Sequence, residues 1–535
     1  MKKLTTIFSV FAFAAAVANA ADIDLIYTSP NANGEAKWFD KSSWGRTEHP
    51  SNLPPSDNAM AARFEWDFQH LYLDRDTTMS YLTLNRDIGV KTSTPTLSLY
   101  DPETKAETNL TFDISQNVAA GASSADIIKG HDGSRGFNAK VDSMNFIFDG
   151  GTINITDSSE GNTGTRTANI LIKPENNDVD FSGKTYSYTF NSNVVSTENL
   201  FVEGKSASDK AGGVFKVEFN KELSLVNGSE YKTLTLGNTK DVYKADAAGN
   251  MTAAGLAVVI GKEAMANVLN VSVGNNATLI VDGVLNTLTA SSSNKNNFNT
   301  GSTFIINGEV NYSGPIFASG KIVVGENGVF KSNKGDPYIL LGVGSELVIN
   351  SKTKGNVNFD HVGLRMSNGS KLTINGDGLA ATTKIWVTNS ASVEIAFNAS
   401  TSFTSFCWCG NDAKNITMKF ADDVTVILDT FSTKNPDKWA KTGLTSLMSL
   451  VLENYTNGQL QIKKLSEDLD ADCKDDMSVV KGEGFVDGSF EWIWHDETNT
   501  YWLTGKAAPV PEPATVAVLF GLFAMALVVY RKRRY

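Results

Sequence analysis

Cysteine is scarce in this 535-residue chain, which carries only Cys407, Cys409 and Cys473. Three thiols allow at most one intramolecular bridge with one left over, so no disulfide framework holds the fold. Cys407 and Cys409 flank Trp408 in FTSFCWCG, which reads as a strand with both thiols on one face. A metal site would need further ligands close by, yet His49, His70, His131, His361 and His495 are scattered singly. Packing, or one bridge to Cys473, is the better reading, and neither metal nor cofactor is expected. Catalytic motifs are missing as well: there is no H-E-x-x-H, no G-x-S-x-G and no G-x-x-x-x-G-K-[ST]. The acidic run EDLDADCKDD, Glu467 to Asp476, has Cys473 where a calcium loop started at Asp468 needs glycine, and Val479 where it needs the closing glutamate. It reads as a solvated loop. No spacing nominates a carboxylate pair for glycoside cleavage, so the chain is not expected to be an enzyme.

Positive charge is also in deficit. The formal net charge is −12, and setting aside Lys2, Lys3, Glu512 and the last four basic residues leaves about −17 for the body of the chain. A field of that sign repels phosphate backbones and disfavours nucleic acid as a partner. The 44 glycines against 13 prolines suit tight turns in a folded protein, and 41% hydrophobic residues are enough for a core. Sequons such as NLT, NIT, NGS and NVS arise from the abundance of Asn, Ser and Thr and carry little weight.

Long apolar runs are confined to the two ends. MKKLTTIFSVFAFAAAVANA combines Lys2 and Lys3, an apolar stretch and the small-residue site Ala18-Asn19-Ala20. That order is the pattern of a secretory signal peptide, with the mature chain starting at Ala21. At the other end Ala514 to Tyr530 are seventeen uncharged residues. As a helix they rise about 25 Å, slightly less than the roughly 30 Å hydrocarbon core, and are expected to span with local thinning. Arg531, Lys532, Arg533 and Arg534 follow at once and belong on the cytoplasmic side, which leaves the rest of the mature chain outside. Pro509, Pro511 and Pro513 keep the preceding segment extended.

Pro511-Glu512-Pro513, a short apolar helix and an Arg-rich tail together resemble the PEP-CTERM sorting signal of Gram-negative bacteria. The resemblance covers about the last 26 residues. It implies recognition by an integral-membrane exosortase that cuts near the triplet and passes the ectodomain to the cell surface or the extracellular matrix. It implies a route and no activity.

Between the ends, short β-type runs alternate with Gly/Asn/Ser turns: ATLIVDG, STFIING, GVFKSN, SELVINS, SKLTING and ASVEIAF. Their first apolar positions are Leu279, Phe304, Phe330, Leu347, Leu372 and Val393. The intervals of 25, 26, 17, 25 and 21 residues suit one coil of a β-solenoid, whose single coils cannot bury an apolar face until they stack. Period-two alternation directs Leu347, Ile349, Leu372 and Ile374 inward and Glu346, Lys371 and Glu394 outward. Asn350, Asn375-Gly376 and Asp282-Gly283 are read as corners with left-handed backbone. The competing architecture is a row of antiparallel β-sandwich modules. WFDKSSW and NLPPSDNAMAARF, with Trp38, Trp44, Pro54, Pro55 and Asp57, resemble the opening of exported β-solenoid, autotransporter-passenger-like proteins and imply an N-terminal cap. GSFEWIWHDETNTYWLTG reads as a hairpin whose Trp492, Trp494 and Trp502 close the far end of the core, with a sugar-stacking platform as the alternative.

The expected organisation is therefore all-β: signal peptide 1–20, N-terminal cap 21–70, parallel β-solenoid 71–436, C-terminal β cap 437–506, and a sorting signal 507–535 with a single transmembrane helix at 514–530. The expected function is that of an exported structural or adhesive protein of the cell surface or matrix. Its expected partners are an exosortase-type membrane enzyme and an extracellular polysaccharide. A polysaccharide-acting lyase or hydrolase is the alternative, and a concave groove lined by charged residues is what would favour it.

Overall fold

A computed structural model describes residues 23–26, 35–39, 61–64, 69–84, 94–116, 123–130, 143–159, 166–172, 182–204, 213–239, 255–288, 294–334, 338–359, 363–388, 391–409, 414–431, 440–441, 448–465, 477–509 and 513–532. Strand accounts for 57% and helix for 5%. The protein is all-β, with large parallel sheets compatible with a β-solenoid. The chain forms two compact units, Met1–Leu288 and Thr289–Tyr535.

In the first unit, consecutive turns of chain each add a strand to parallel ladders, and one such turn is called a rung below. One ladder runs through Glu35–Lys37, His70–Tyr72, Thr96–Ser98, Ser143–Thr156, Thr185–Ser196, Val214–Phe219, Gly255–Ile260 and Thr278–Val281. A second joins Thr77–Met79, Asn109–Asp113, the later halves of the two long strands, Leu223–Asn227, Met265–Val268 and Val284–Thr287. A third begins with Ile23–Ile26, Ala61–Phe64 and Tyr81–Leu84 and ends with Val271–Val273. Within the expected cap, residues 21–70, the described strands Ile23–Ile26, Glu35–Lys37 and Ala61–Phe64 pair in parallel. Trp38 is fully buried there, while Trp44, Pro54, Pro55 and Asp57 lie outside the described residues.

The core follows from strict alternation. Phe148, Phe190, Phe219, Ile260 and Val281 share one ladder position on successive rungs, and all are buried. The rings of Phe148 and Phe190 stack at 4.8 Å and 2°, and those of Phe190 and Phe219 at 5.1 Å and 13°. Parallel in-register strands bring like side chains over like, so an aromatic on one rung is best covered by an aromatic on the next. Ser143–Thr156 serves two ladders because it bends at Gly150-Gly151. Gly151 has φ +50°, and a Cβ there would lie 2.1 Å from the Thr108 carbonyl oxygen.

The second unit repeats the scheme. Its principal ladder comprises Thr303–Ile306, Lys321–Val324, Glu346–Ile349, Lys371–Ile374, Ser392–Phe397, Lys414–Phe420, Met448–Glu453 and Val480–Gly482. All six of Leu279, Phe304, Phe330, Leu347, Leu372 and Val393 are buried, as are Ile349 and Ile374. They do not form one column, however. Leu347 lies over Leu372, but Leu372 pairs with Ile395, two residues beyond Val393. Phe330 belongs to a neighbouring ladder with Val310 and Val357. Outward, Lys321–Glu346 (2.9 Å), Lys371–Glu394 (3.7 Å), Lys419–Glu394 (3.1 Å) and Lys419–Glu453 (3.3 Å) alternate in sign from rung to rung. A one-rung slip would set like charges together, which opposes misregister.

Rungs continue past residue 436 in Met448–Glu453, Leu460–Ile462 and Val480–Gly482. Glu491–His495 and Thr500–Thr504 then form the expected antiparallel hairpin, which pairs antiparallel with Leu460–Ile462. Parallel pairing through both units replaces the antiparallel-sandwich alternative. An α-helix, Pro513–Lys532, covers the expected apolar stretch. Its described side chains from Gly521 to Arg531 are exposed, and among the described residues no helix is long and apolar enough to cross a membrane.

Candidate functional site

In the ladder that begins at Glu35–Lys37, a buried residue on each of the last five strands is followed by one that turns the corner. In the first unit these corner residues are Asp149, Asn191, Asn220, Gly261 and Asp282. Asp149 and Asn191 are register partners. The Asn220 amide donates to the Phe190 carbonyl (2.8 Å), that of Gly261 to Phe219 (2.8 Å) and that of Asp282 to Ile260 (2.9 Å). Those bonds place the corner side chains in a row, and the Asn220 amide Nδ2 donates to Asn191 Oδ1 at 2.9 Å. Gly261 interrupts the row, since a Cβ there would stand 2.1 Å from Asn220 Oδ1.

In the second unit the same row is an asparagine comb. Asn375 Nδ2 donates to Asn350 Oδ1 (2.7 Å), and Asn398 Nδ2 to Asn375 Oδ1 (2.8 Å), across sequence separations of 25 and 23. Contrary to the expected left-handed backbone at these corners, none of Asn350, Asn375, Gly376, Asp282 and Gly283 has positive φ. The asparagines are there to bond the adjacent rung. The glycines admit close approach, a Cβ at Gly376 meeting the Ser351 carbonyl oxygen at 2.3 Å and one at Gly283 meeting that of Gly261 at 2.2 Å.

Over the first unit's corner row lies a groove of about 970 Å³. Glu107, Asp149, Glu218, Glu263 and Asp282 supply carboxylates, Lys221 and Lys262 ammonium groups, and Asn191, Asn193 and Asn220 amides, with Gly150, Gly151 and Gly261 leaving backbone bare. Glu218 is held by Lys216 at 2.7 Å, whereas Lys221 and Lys262 have no ion-pair partner among the described residues. No group of three or more His, Cys, Asp or Glu side chains is placed to hold a metal among the described residues. This groove was not nominated from the sequence. The signal for it is a short pattern, a core residue, then Asp, Asn or Gly: FDG, FNS, FNK, IGK and VDG at residues 148–150, 190–192, 219–221, 260–262 and 281–283.

The hairpin tryptophans do not fill the core end as expected. Leu503, Phe490 and Tyr455 are buried there, while Trp494 is 43% exposed and Trp492 and Trp502 are half-buried. Trp494 meets Tyr501 edge-on at 4.9 Å and Trp502 stacks on His495 at 3.8 Å. The indole N–H of Trp494 donates to Asp496 (2.6 Å). Short strands leave only the residue nearest the rung inside, and the larger rings are pushed to the rim.

Ala18, Ala20, Ala21, Pro511, Glu512, Arg533 and Arg534 lie outside the described residues, as do Glu467 to Asp476 with Cys473. Pro513 opens the helix, where a missing amide hydrogen costs nothing, and Arg531 and Lys532 are in its last turn. Cys407 and Cys409 are on the strand Thr401–Cys409, in register with Trp386 and Ala440 respectively. No family model, no curated protein and no solved structure matches the chain.

Proposed function

We propose that this chain is an exported β-solenoid protein acting as a structural or adhesive component of the cell surface or its polymer matrix. In this reading Lys2 to Ala20 direct export, Pro511-Glu512-Pro513 is read by an exosortase-type enzyme, and the apolar helix with Arg531, Lys532, Arg533 and Arg534 delivers the triplet to the membrane. The observation that supports it is the stacking of successive parallel rungs, whose outward charges repeat along the ladder, as a scaffold or adhesin requires. The test is Glu512→Ala in a host that possesses an exosortase. Uncut chain is expected to accumulate in the membrane fraction, and the surface form to be lost. Equal processing of parent and variant would reduce the triplet to a linker.

The acid-lined groove favours a second reading, a polysaccharide-acting enzyme. New reducing ends released from neutral polysaccharide, or unsaturated ends from a uronic-acid polysaccharide, by the parent and not by Asp282→Asn, would establish it.

A further inference from the structure

No aromatic or branched aliphatic side chain is among the residues that line the groove of the first unit; every side chain there longer than glycine's ends in a polar group. An apolar ligand would strip water from five carboxylates without replacing the hydrogen bonds, so the occupant must itself be rich in donors and acceptors. Carboxylates and carbonyls accept, ammonium groups donate, and asparagine amides do both. A hydroxyl group, donor and acceptor in one, matches that mixture best. Five carboxylates against two lysines give the groove a negative field, which repels a polyanion. A metal ion fits poorly, since no three ligating side chains among the described residues converge.

Geometry sets the length of the occupant. Asp149 and Asp282 stand four rungs apart, roughly 19 Å at about 4.8 Å per rung. The volume, about 970 Å³, is at the large end for a ligand site. Between them the Asn220 side chain lies against the bare backbone of Gly261, and Lys221, Lys262 and Glu263 line the groove beside it. We propose that this groove binds a neutral, linear oligosaccharide lying along the rungs, over the corner row from Asp149 to Asp282. The proposal rests on the surface role above, because such a polymer is met outside the cell.

The experiment is titration calorimetry on the full chain in a detergent without sugar headgroups. Neutral hexasaccharides of β-glucan, mannan, xylan and galactan serve as probes, beside an oligogalacturonate hexamer and Ca²⁺. At least one neutral probe is expected to bind, with affinity unmoved by salt. The double variant Lys221→Ala/Glu263→Gln, at two exposed positions, should weaken it by about tenfold, and Lys352→Ala in the second unit should not. Failure of every neutral probe, binding only of oligogalacturonate or Ca²⁺, or equal loss in Lys352→Ala would overturn the proposal, as would retention of full affinity by the double variant. Calorimetry does not involve sorting, so a failure here leaves the export reading standing, and uncut Glu512→Ala chain leaves this one untouched.

Discussion

At the scale of single residues, the fold depends on columns in which each buried side chain touches its counterparts on the rungs before and after. Leu372 is 1% exposed between Leu347 and Ile395. Leu372→Asp places an unpaired carboxylate there, and a loss of several kcal/mol is expected, read as a lowered urea midpoint. A variant that melts like the parent would contradict the column. Glu198 shows the opposite economy: it is buried, accepts the Arg166 amide hydrogen at 2.8 Å and lies near Lys232. Burial, aided by Asp157, pushes its carboxyl above the usual range, against the Arg166 bond and Lys232. A carboxyl with a raised folded value stabilises the protein fully below its unfolded pKa, and that contribution fades as pH rises through the folded value. Glu198→Gln keeps an acceptor for Arg166 and removes the titration. Denaturation of parent and variant at acidic and neutral pH should show the variant gaining relative stability as pH rises, and parallel curves would refute the assignment.

At the scale of elements, what the sequence disclosed was alternation, and what it concealed was register. The inward set Leu347, Ile349, Leu372 and Ile374 and the outward set Glu346, Lys371 and Glu394 follow from a period of two, which strand geometry imposes wherever one face is buried. Aligning runs on their first apolar residue misplaces Phe330 and Val393, because register is fixed at the corner, where Asn350, Asn375 and Asn398 bond one another. The groove was hidden for a related reason. Asp149, Asn191, Asn220 and Asp282 are separated by connections of unequal length, so no fixed spacing announces them, and only the pairing makes them neighbours. The bend in Ser143–Thr156 is the element most sensitive to a single atom. Gly151→Ala adds a Cβ at positive φ that collides with Thr108, and a loss of at least about 1–3 kcal/mol is expected from backbone strain alone. Thermal melting would report it, and an unchanged midpoint would mean that the strand does not turn there.

At the scale of the whole molecule, stability in such a stack is close to a sum over rungs and the interfaces between them. A fault at Leu372 should therefore open its neighbouring rungs first, and limited proteolysis of Leu372→Asp should cut near residues 350–400 before the first unit yields. Charge acts on the same scale: an acidic body of about −17 keeps copies apart in solution. The hairpin Glu491–His495/Thr500–Thr504, which meets Leu460–Ile462, the last parallel strand described in its ladder, in reverse direction, has a consequence for length. A parallel rung is a template for another like itself, so a duplicated stretch of gene can slot in wherever corner and column repeat. Reversal of chain direction ends that templating, because the strand facing outward no longer matches the one a newcomer would bring. An inserted parallel rung would add about 4.8 Å to the stack, whereas the antiparallel hairpin presents no strand of matching direction to a further rung.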